Sequence, residues 1–277
     1  MNKKTILIIY GLLICVTAIG KEKEKEKEYS FTHPWSGKRI AYIGDSVSDP
    51  EVKKGDNMKH YWDFLQEWLN TEPLVYATNG HTLQNGLSSI DKLYEEHGQE
   101  VDVIVVFLGT NDYNASLPLG SLYIEQESET ERSFGNQSYK QYAVRRTFSF
   151  SDKTIFGRIN LVMQKLKTLY PTKQIVFLTP LHRGFAEFGS FNIQLDESYQ
   201  NSRGLYIDDV VNAIIEAGRA WSVPVIDLFA ISGLSPTLPE YKSFFFDAEH
   251  DCLHPNESGH ERIARTLLYQ TLVIPVF

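Results

Sequence analysis

The sequence predicts an α/β fold, a parallel sheet with helices packed on both faces. Three observations carry this. Short apolar, β-branched runs alternate with longer segments whose apolar residues recur at helical spacing. One run, Val103–Leu108, is apolar without interruption, as a strand covered on both faces requires. Several runs break into Gly, Asn or Asp at their carboxyl ends, the edge at which open α/β sheets bind ligands.

In chain order, the first strand is Arg39–Gly44, and a helix follows over Tyr61–Leu69, where apolar residues fall on one stripe. The second strand is Pro73–Ala77, followed by a loop with Asn79-Gly80-His81-Thr82 and a helix from Leu87 to His97. The third strand, Val103–Leu108, ends in Gly109-Thr110-Asn111-Asp112. Over residues 113–151 the periodicity is lost, and this segment is expected to be an irregular, cap-like insertion. A helix to Leu169, stopped by Pro171, leads into the fourth strand, Gln174–Thr179. A second irregular stretch runs from His182 to Asn201, then a helix over Ile207–Ala220. The fifth strand, Val223–Leu228, contains Pro224, which cannot donate to a ladder, so this is an edge strand. The last helix spans about Asn256 to Leu272.

Residues 1–20 carry Lys3-Lys4 and an apolar run from Ile6 to Ile19, the pattern of an export signal with a small-residue cleavage site at Ala18-Ile19-Gly20. The run is shorter than the roughly 20 residues of a membrane span. Contact with a membrane is therefore expected only through this N-terminal segment, either uncleaved or lipidated at Cys15. The protein is expected to be exported. Residues 21–36 open with alternating Lys and Glu, which can bury no face and read as a charged linker. Residues 37–277 form the folded domain. A net charge of -8 argues against nucleic-acid binding, which needs a basic face. The two cysteines are Cys15 and Cys252, so no internal disulfide is expected in the mature chain.

The residues that bear chemistry sit on the loops after strands. Gly44-Asp45-Ser46 follows the first strand, where Ser46 can present a hydroxyl or simply cap a helix. A serine hydroxyl needs a base to become a nucleophile. His254 can supply it, with Asp251 three residues earlier holding the far ring nitrogen on what reads as a turn before Pro255. The Ser46 N–H, the Gly80 N–H and the Asn111 amide are candidate donors to an oxyanion.

These blocks, in this order, resemble those of the SGNH hydrolases, also called GDSL-type esterases and lipases: Gly44-Asp45-Ser46-Val47-Ser48-Asp49, Asn79-Gly80-His81-Thr82, Gly109-Thr110-Asn111-Asp112 and Asp251-Cys252-Leu253-His254-Pro255. The resemblance implies a three-layer α/β/α fold with a flavodoxin-like sheet of about five parallel strands. It implies Ser46 as nucleophile, His254 as base, Asp251 as its orienter, and Ser46, Gly80 and Asn111 as the oxyanion hole. It implies no metal and no cofactor. The sequence departs from the pattern at Val47, where leucine is usual, and before Gly80, which leaves Gly86 as an alternative.

The other reading of the histidine block is a metal face from His250 and His254 with Asp247 and Asp251, but Pro255 argues against the helix this needs. His81, Tyr113, Arg183 and Phe185 are candidate substrate contacts. Tyr123, Phe134, Phe148 and Phe188 are further candidates for a substrate wall. The expected activity is hydrolysis of short acyl esters, such as acetyl esters of carbohydrates. Acyl transfer to a sugar, or carbohydrate binding without catalysis on the same fold, are the alternatives.

Overall fold

The computed structural model describes residues 32–52 and 58–275. The expected export signal, Cys15 and most of the expected charged linker lie outside the described residues. The packed body reaches back to His33, ahead of the boundary at residue 37 expected from sequence. The reason is Trp35, which is fully buried and donates its indole N–H to the Gln174 side chain at 2.8 Å. The His33 ring meets the Leu268 carbonyl at 2.9 Å.

The chain runs β1 (Arg39–Gly44), α1 (Tyr61–Leu69), β2 (Glu72–Ala77), α2 (Leu83–His97), β3 (Val103–Phe107), α3 (Thr110–Asn114), β4 (Tyr123–Phe134), β5 (Gln137–Phe148), α4 (Ile155–Leu169), β6 (Gln174–Leu178), β7 (Ala186–Glu187), β8 (Ile193–Gln194), α5 (Ile207–Trp221), β9 (Val225–Ile226), α6 (Leu228–Ile231), β10 (Phe245–Asp247), β11 (Asp251–Pro255) and α7 (Glu257–Gln270). A 3₁₀ turn at Pro239–Phe244 precedes β10.

The main sheet is all parallel, in the order β2-β1-β3-β6-β9. Each central strand feeds two cores. Ile40, Tyr42, Val103, Val105, Phe107, Val176 and Leu178 face one side, with α1 and α7. Ala41, Ile43, Ile104, Val106, Ile175 and Phe177 face the other, with α2, α4 and α5. This period-two division is why β3 reads as uninterrupted apolar sequence: both of its faces are buried. Burying one such side chain contributes about 1.5–3 kcal/mol. Pro224 stands just before β9, which shrinks to two residues at the sheet edge.

After β1 the chain goes out to β2, then crosses back over β1 to β3. The strand order reverses there, and this is where a crevice opens at the carboxyl edge of an α/β sheet. The loops after β1 and β3 flank it.

Residues 113–151, expected to be irregular, start on the last residues of the short α3 and form a long two-stranded antiparallel hairpin, β4–β5, closed by a two-residue Gly135-Asn136 turn. Its root is aromatic: Phe148 stacks on Trp221 with centroids 4.1 Å apart, and Tyr123 on Phe148 at 5.1 Å. Beyond the root nearly every residue is exposed on both faces. A strand with no buried face has no apolar alternation to read, so the sequence pattern was silent.

A second, small sheet joins the end of the chain to the segment after β6, in the order β10-β11-β7-β8. It converts the expected turn at Asp251–Pro255 into strand β11, paired antiparallel with β10 and β7. The final helix starts on an Asn256 cap, whose side chain accepts from the Gly259 N–H at 3.2 Å. Among the described residues, no helix is long and apolar enough to cross a membrane.

Candidate active site

Ser46 stands just past β1, on a loop turned by its neighbours. The buried Asp45 accepts the Val47 N–H at 3.1 Å, and the Asp45 carbonyl accepts the N–H groups of Ser48 and Asp49, both at 3.0 Å. Ser48 is fixed in turn, its hydroxyl 2.8 Å from the Tyr61 hydroxyl. Burial, with Asp112 adding like charge, pushes the Asp45 carboxyl up to about 7 despite the bond from Val47.

From the other end of the chain, β11 delivers His254. Its Nε2 lies 2.8 Å from Ser46 Oγ. Its Nδ1 lies 3.0 Å from Asp251 Oδ2 and 3.1 Å from Oδ1. Asp251 Oδ1 also accepts the N–H of His254 at 3.0 Å and of Leu253 at 3.3 Å, so the carboxylate is locked by backbone. Both side chains are largely shielded, 12% and 4% exposed. An ionised carboxylate only accepts hydrogen bonds, so it holds the imidazole proton on Nδ1 and leaves the Nε2 lone pair toward the hydroxyl.

The opposite wall comes from the β2–α2 and β3–α3 loops. Gly80 has φ +79, a region that glycine enters at little cost. Asp49 reaches across from the Ser46 loop and accepts the Asn79 N–H at 2.7 Å and the Glu51 N–H at 2.8 Å. Asn111 donates one amide hydrogen to the His81 carbonyl at 2.9 Å, leaving its second for a ligand. The next residue, Asp112, is fully buried and accepts from Arg158 at 2.9 Å and from the Leu83 N–H at 2.8 Å. It thus ties the start of α2 and α4 to α3. Gly86, the alternative to Gly80, sits within α2, where an added Cβ would come within 2.7 Å of Leu108. It is a packing glycine.

Ser46, Gly80, Asn111 and His254 together line a cavity of about 240 Å³, with Asn79, Val52, Phe188, Asn192, Gln194 and Leu253 as its remaining wall. The structure therefore brings Ser46, Asp251, His254, Gly80 and Asn111 together. The four substrate-contact candidates divide. His81 contributes its carbonyl to Asn111, while burial lowers the ring's pKa against the opposing pull of Asp49. Tyr113 and Arg183 line a second, adjoining cavity. Phe185 does not line the Ser46 cavity and is 37% exposed. Phe188 takes that place, its ring 5.3 Å from the His254 ring, because the β7–β8 turn folds it over the imidazole. Tyr123 and Phe148 belong to the hairpin root, and Phe134 sits exposed at its tip.

Asp49 was named only as the end of the Ser46 block, and its position beside Pro50 carried no sign of the bond to Asn79. The irregular His182–Asn201 stretch was expected to lie over the active edge, but its aromatics drew the eye and the amides of Asn192 and Gln194 were missed. Cys252 is buried, and burial raises its thiol pKa. His250 is an exposed partner of Glu187 at 3.6 Å. No cluster of three or more metal-ligating side chains occurs among the described residues.

Three comparisons bear on this geometry. A protein from Lactobacillus plantarum is 26% identical, with a TM-score of 0.62 over 85% of this chain and 96% of its own. A possible lipase from Chitinophaga pinensis is 23% identical, with a TM-score of 0.61 over 84% and 97%. A variant of an acetyl-xylooligosaccharide esterase from Geobacillus shares the fold at 16% identity, with a TM-score of 0.51 over 87% and 96%. No curated protein sequence matches significantly. The family model of GDSL-like lipases and acylhydrolases matches residues 42–262, from within β1 to past His254. The matched span takes in every residue that meets at the crevice, and the chain belongs to the GDSL-like lipase/acylhydrolase family, within the SGNH hydrolases.

Proposed function

We propose that the protein is a serine esterase that removes short acyl groups, acetyl foremost, from carbohydrate. Family membership supports ester hydrolysis. The observation that carries the serine mechanism is the 2.8 Å contact between Ser46 Oγ and His254 Nε2, with Asp251 on the far nitrogen.

The reaction follows from that arrangement. Ser46 Oγ attacks the ester carbonyl carbon as its proton passes to His254 Nε2. Asp251 stabilises the imidazolium. The carbonyl oxygen, now anionic, accepts from the Ser46 and Gly80 N–H groups and the second amide hydrogen of Asn111. The tetrahedral intermediate collapses, the leaving alkoxide takes the proton from His254, and the acyl group stays on Ser46. Water, deprotonated by His254, then attacks the acyl-serine and releases the carboxylic acid. Base catalysis contributes roughly 10²–10⁴-fold, and each oxyanion donor roughly 10²–10³-fold.

The size and lining of the cavity support a short acyl group. About 240 Å³ is small for a long chain, and Asn79, Asn111, Asn192 and Gln194 make the wall rich in amides, which suit sugar hydroxyls. The fold shared with an acetyl-xylooligosaccharide esterase points the same way.

The test is Ser46→Ala with a fluorophosphonate probe. Wild-type protein should label at one serine and hydrolyse p-nitrophenyl acetate. The variant should keep its circular dichroism spectrum, lose labelling, and lose roughly 10⁴–10⁶-fold in kcat. Retention of activity in Ser46→Ala rules the mechanism out.

A further inference from the structure

The cavity that adjoins the Ser46 pocket has a feature the proposed reaction does not use. It measures about 330 Å³ and is lined by Tyr113, Asn114, Arg183, Phe191, Asn192 and Gln194, among others. Arg183 is the one charged side chain among its described lining residues. The residue is 1% exposed, yet no described carboxylate lies within ion-pair distance of its guanidinium. Glu197, the acid beside it, is turned away: it accepts from His182 Nδ1 at 2.8 Å and from the backbone N–H of Arg183 at 2.9 Å.

A guanidinium has five N–H donors. Here one goes to the Asn114 amide oxygen and one to Gln194 Oε1 at 2.8 Å, and the plane lies over the Tyr113 ring, 5.3 Å from its centroid. Nε is buried without a partner. A buried cation that is neither paired nor saturated with hydrogen bonds is costly, and folds keep one where a ligand completes it. Burial lowers the pKa of Arg183, with Tyr113, Glu197 and Asp196 opposing that shift.

The two cavities share a wall. Asn192 and Gln194 line both. The Asn114 amide that anchors Arg183 also donates to Gln194 at 3.0 Å and toward Asn111 at 3.4 Å. Phe191, fully exposed at the rim, offers an aromatic face of the kind on which sugar rings rest.

We propose that this second cavity is a subsite for an anionic sugar, with the carboxylate of a uronic-acid-type residue completing Arg183 while the ester lies at Ser46. This rests on the esterase reading for the reaction, but not for the binding. One cation with planar, forked donors matches one planar monoanion. A phosphate dianion would need further positive charge, which the lining lacks.

The test separates the two claims. Titration calorimetry on wild-type protein compares glucuronate with glucose and glucose 6-sulfate. Glucuronate should bind roughly ten- to a hundredfold more tightly than glucose, the range of a charged hydrogen bond. The preference should vanish in Arg183→Gln. For turnover, kcat/KM on an acetylated methyl glucuronoside should exceed that on its methyl ester by a similar factor, mainly through KM. Equal binding of glucuronate and glucose by the wild-type protein overturns the subsite, whether or not Arg183→Gln folds. Tighter binding of the sulfate than of glucuronate overturns the carboxylate assignment. Loss of all esterase activity with the glucuronate preference intact would sink the serine mechanism and leave the subsite standing.

Discussion

Asp49 offers a direct test of how the oxyanion wall is held, through Asp49→Ala and Asp49→Asn. The side chain is 5% exposed, and its two oxygens serve two different donors: Oδ1 takes the Glu51 N–H at 2.8 Å and Oδ2 the Asn79 N–H at 2.7 Å. A hydrogen bond to a charged group is worth about 1.5–3 kcal/mol when its donor cannot reach water. Both donors are partly exposed, so alanine should cost about 2 kcal/mol in total rather than twice that range. The kinetic effect should be larger. Asn79 precedes Gly80, and freeing its N–H lets the Gly80 N–H drift. Complete loss of one oxyanion donor costs roughly 10²–10³ in kcat, so a displaced one should cost roughly 10–100-fold with KM nearly unchanged. Asparagine should fall between wild type and alanine. Its single oxygen can serve one donor, while its NH₂ is set against the other. Urea denaturation gives the first quantity, and steady-state hydrolysis of p-nitrophenyl acetate gives the second. If Asp49→Ala loses stability but keeps kcat within twofold, Gly80 is not an oxyanion donor and the reasoning fails.

Two further substitutions read the buried charges behind the site. Asp45 has a folded-state pKa of about 7, above its unfolded value, so the folded protein holds the extra proton between about pH 4 and 7 and stability declines as pH rises through that window. Asp45→Asn keeps an acceptor for the Val47 N–H and should flatten that slope, gaining on the order of 4 kcal/mol over wild type at pH 8 and almost nothing near pH 4. Denaturant midpoints that stay parallel across this range would refute it. Arg158→Met should cost about 3–5 kcal/mol at pH 8 by stranding the fully buried Asp112 carboxylate. Burial already raises the Asp112 pKa, and losing Arg158 raises it further, so the loss should shrink as pH falls toward 5. An equal drop in melting temperature at both pH values would contradict the assignment.

The sheet was legible because its strands are buried on two faces and so write themselves as apolar runs, Val103–Phe107 most plainly. Ser46, Asn111 and His254 were legible because each follows such a run or precedes a helix, in residue types that suit one chemistry. What escaped was structure whose cause is remote in sequence. The hairpin β4–β5 has no buried face, so it leaves no pattern in the chain. β11 is a strand because β10 pairs with one of its edges and Ala186, from a distant loop, with the other. Trp35 read as part of a linker because its partner, Gln174, lies on a strand far along the chain. Phe185 and Phe188 are indistinguishable as letters; the β7–β8 turn decides which one meets the imidazole.

Ser46 and His254 are separated by 208 positions, and their contact forms only when the first strand and the last hairpin are both in place. On the proposed serine mechanism, any folding intermediate that lacks either is chemically silent, so turnover during refolding counts complete molecules alone. A stopped-flow activity trace would then time the arrival of the chain's final segment, which spectroscopic probes of the early sheet would not register.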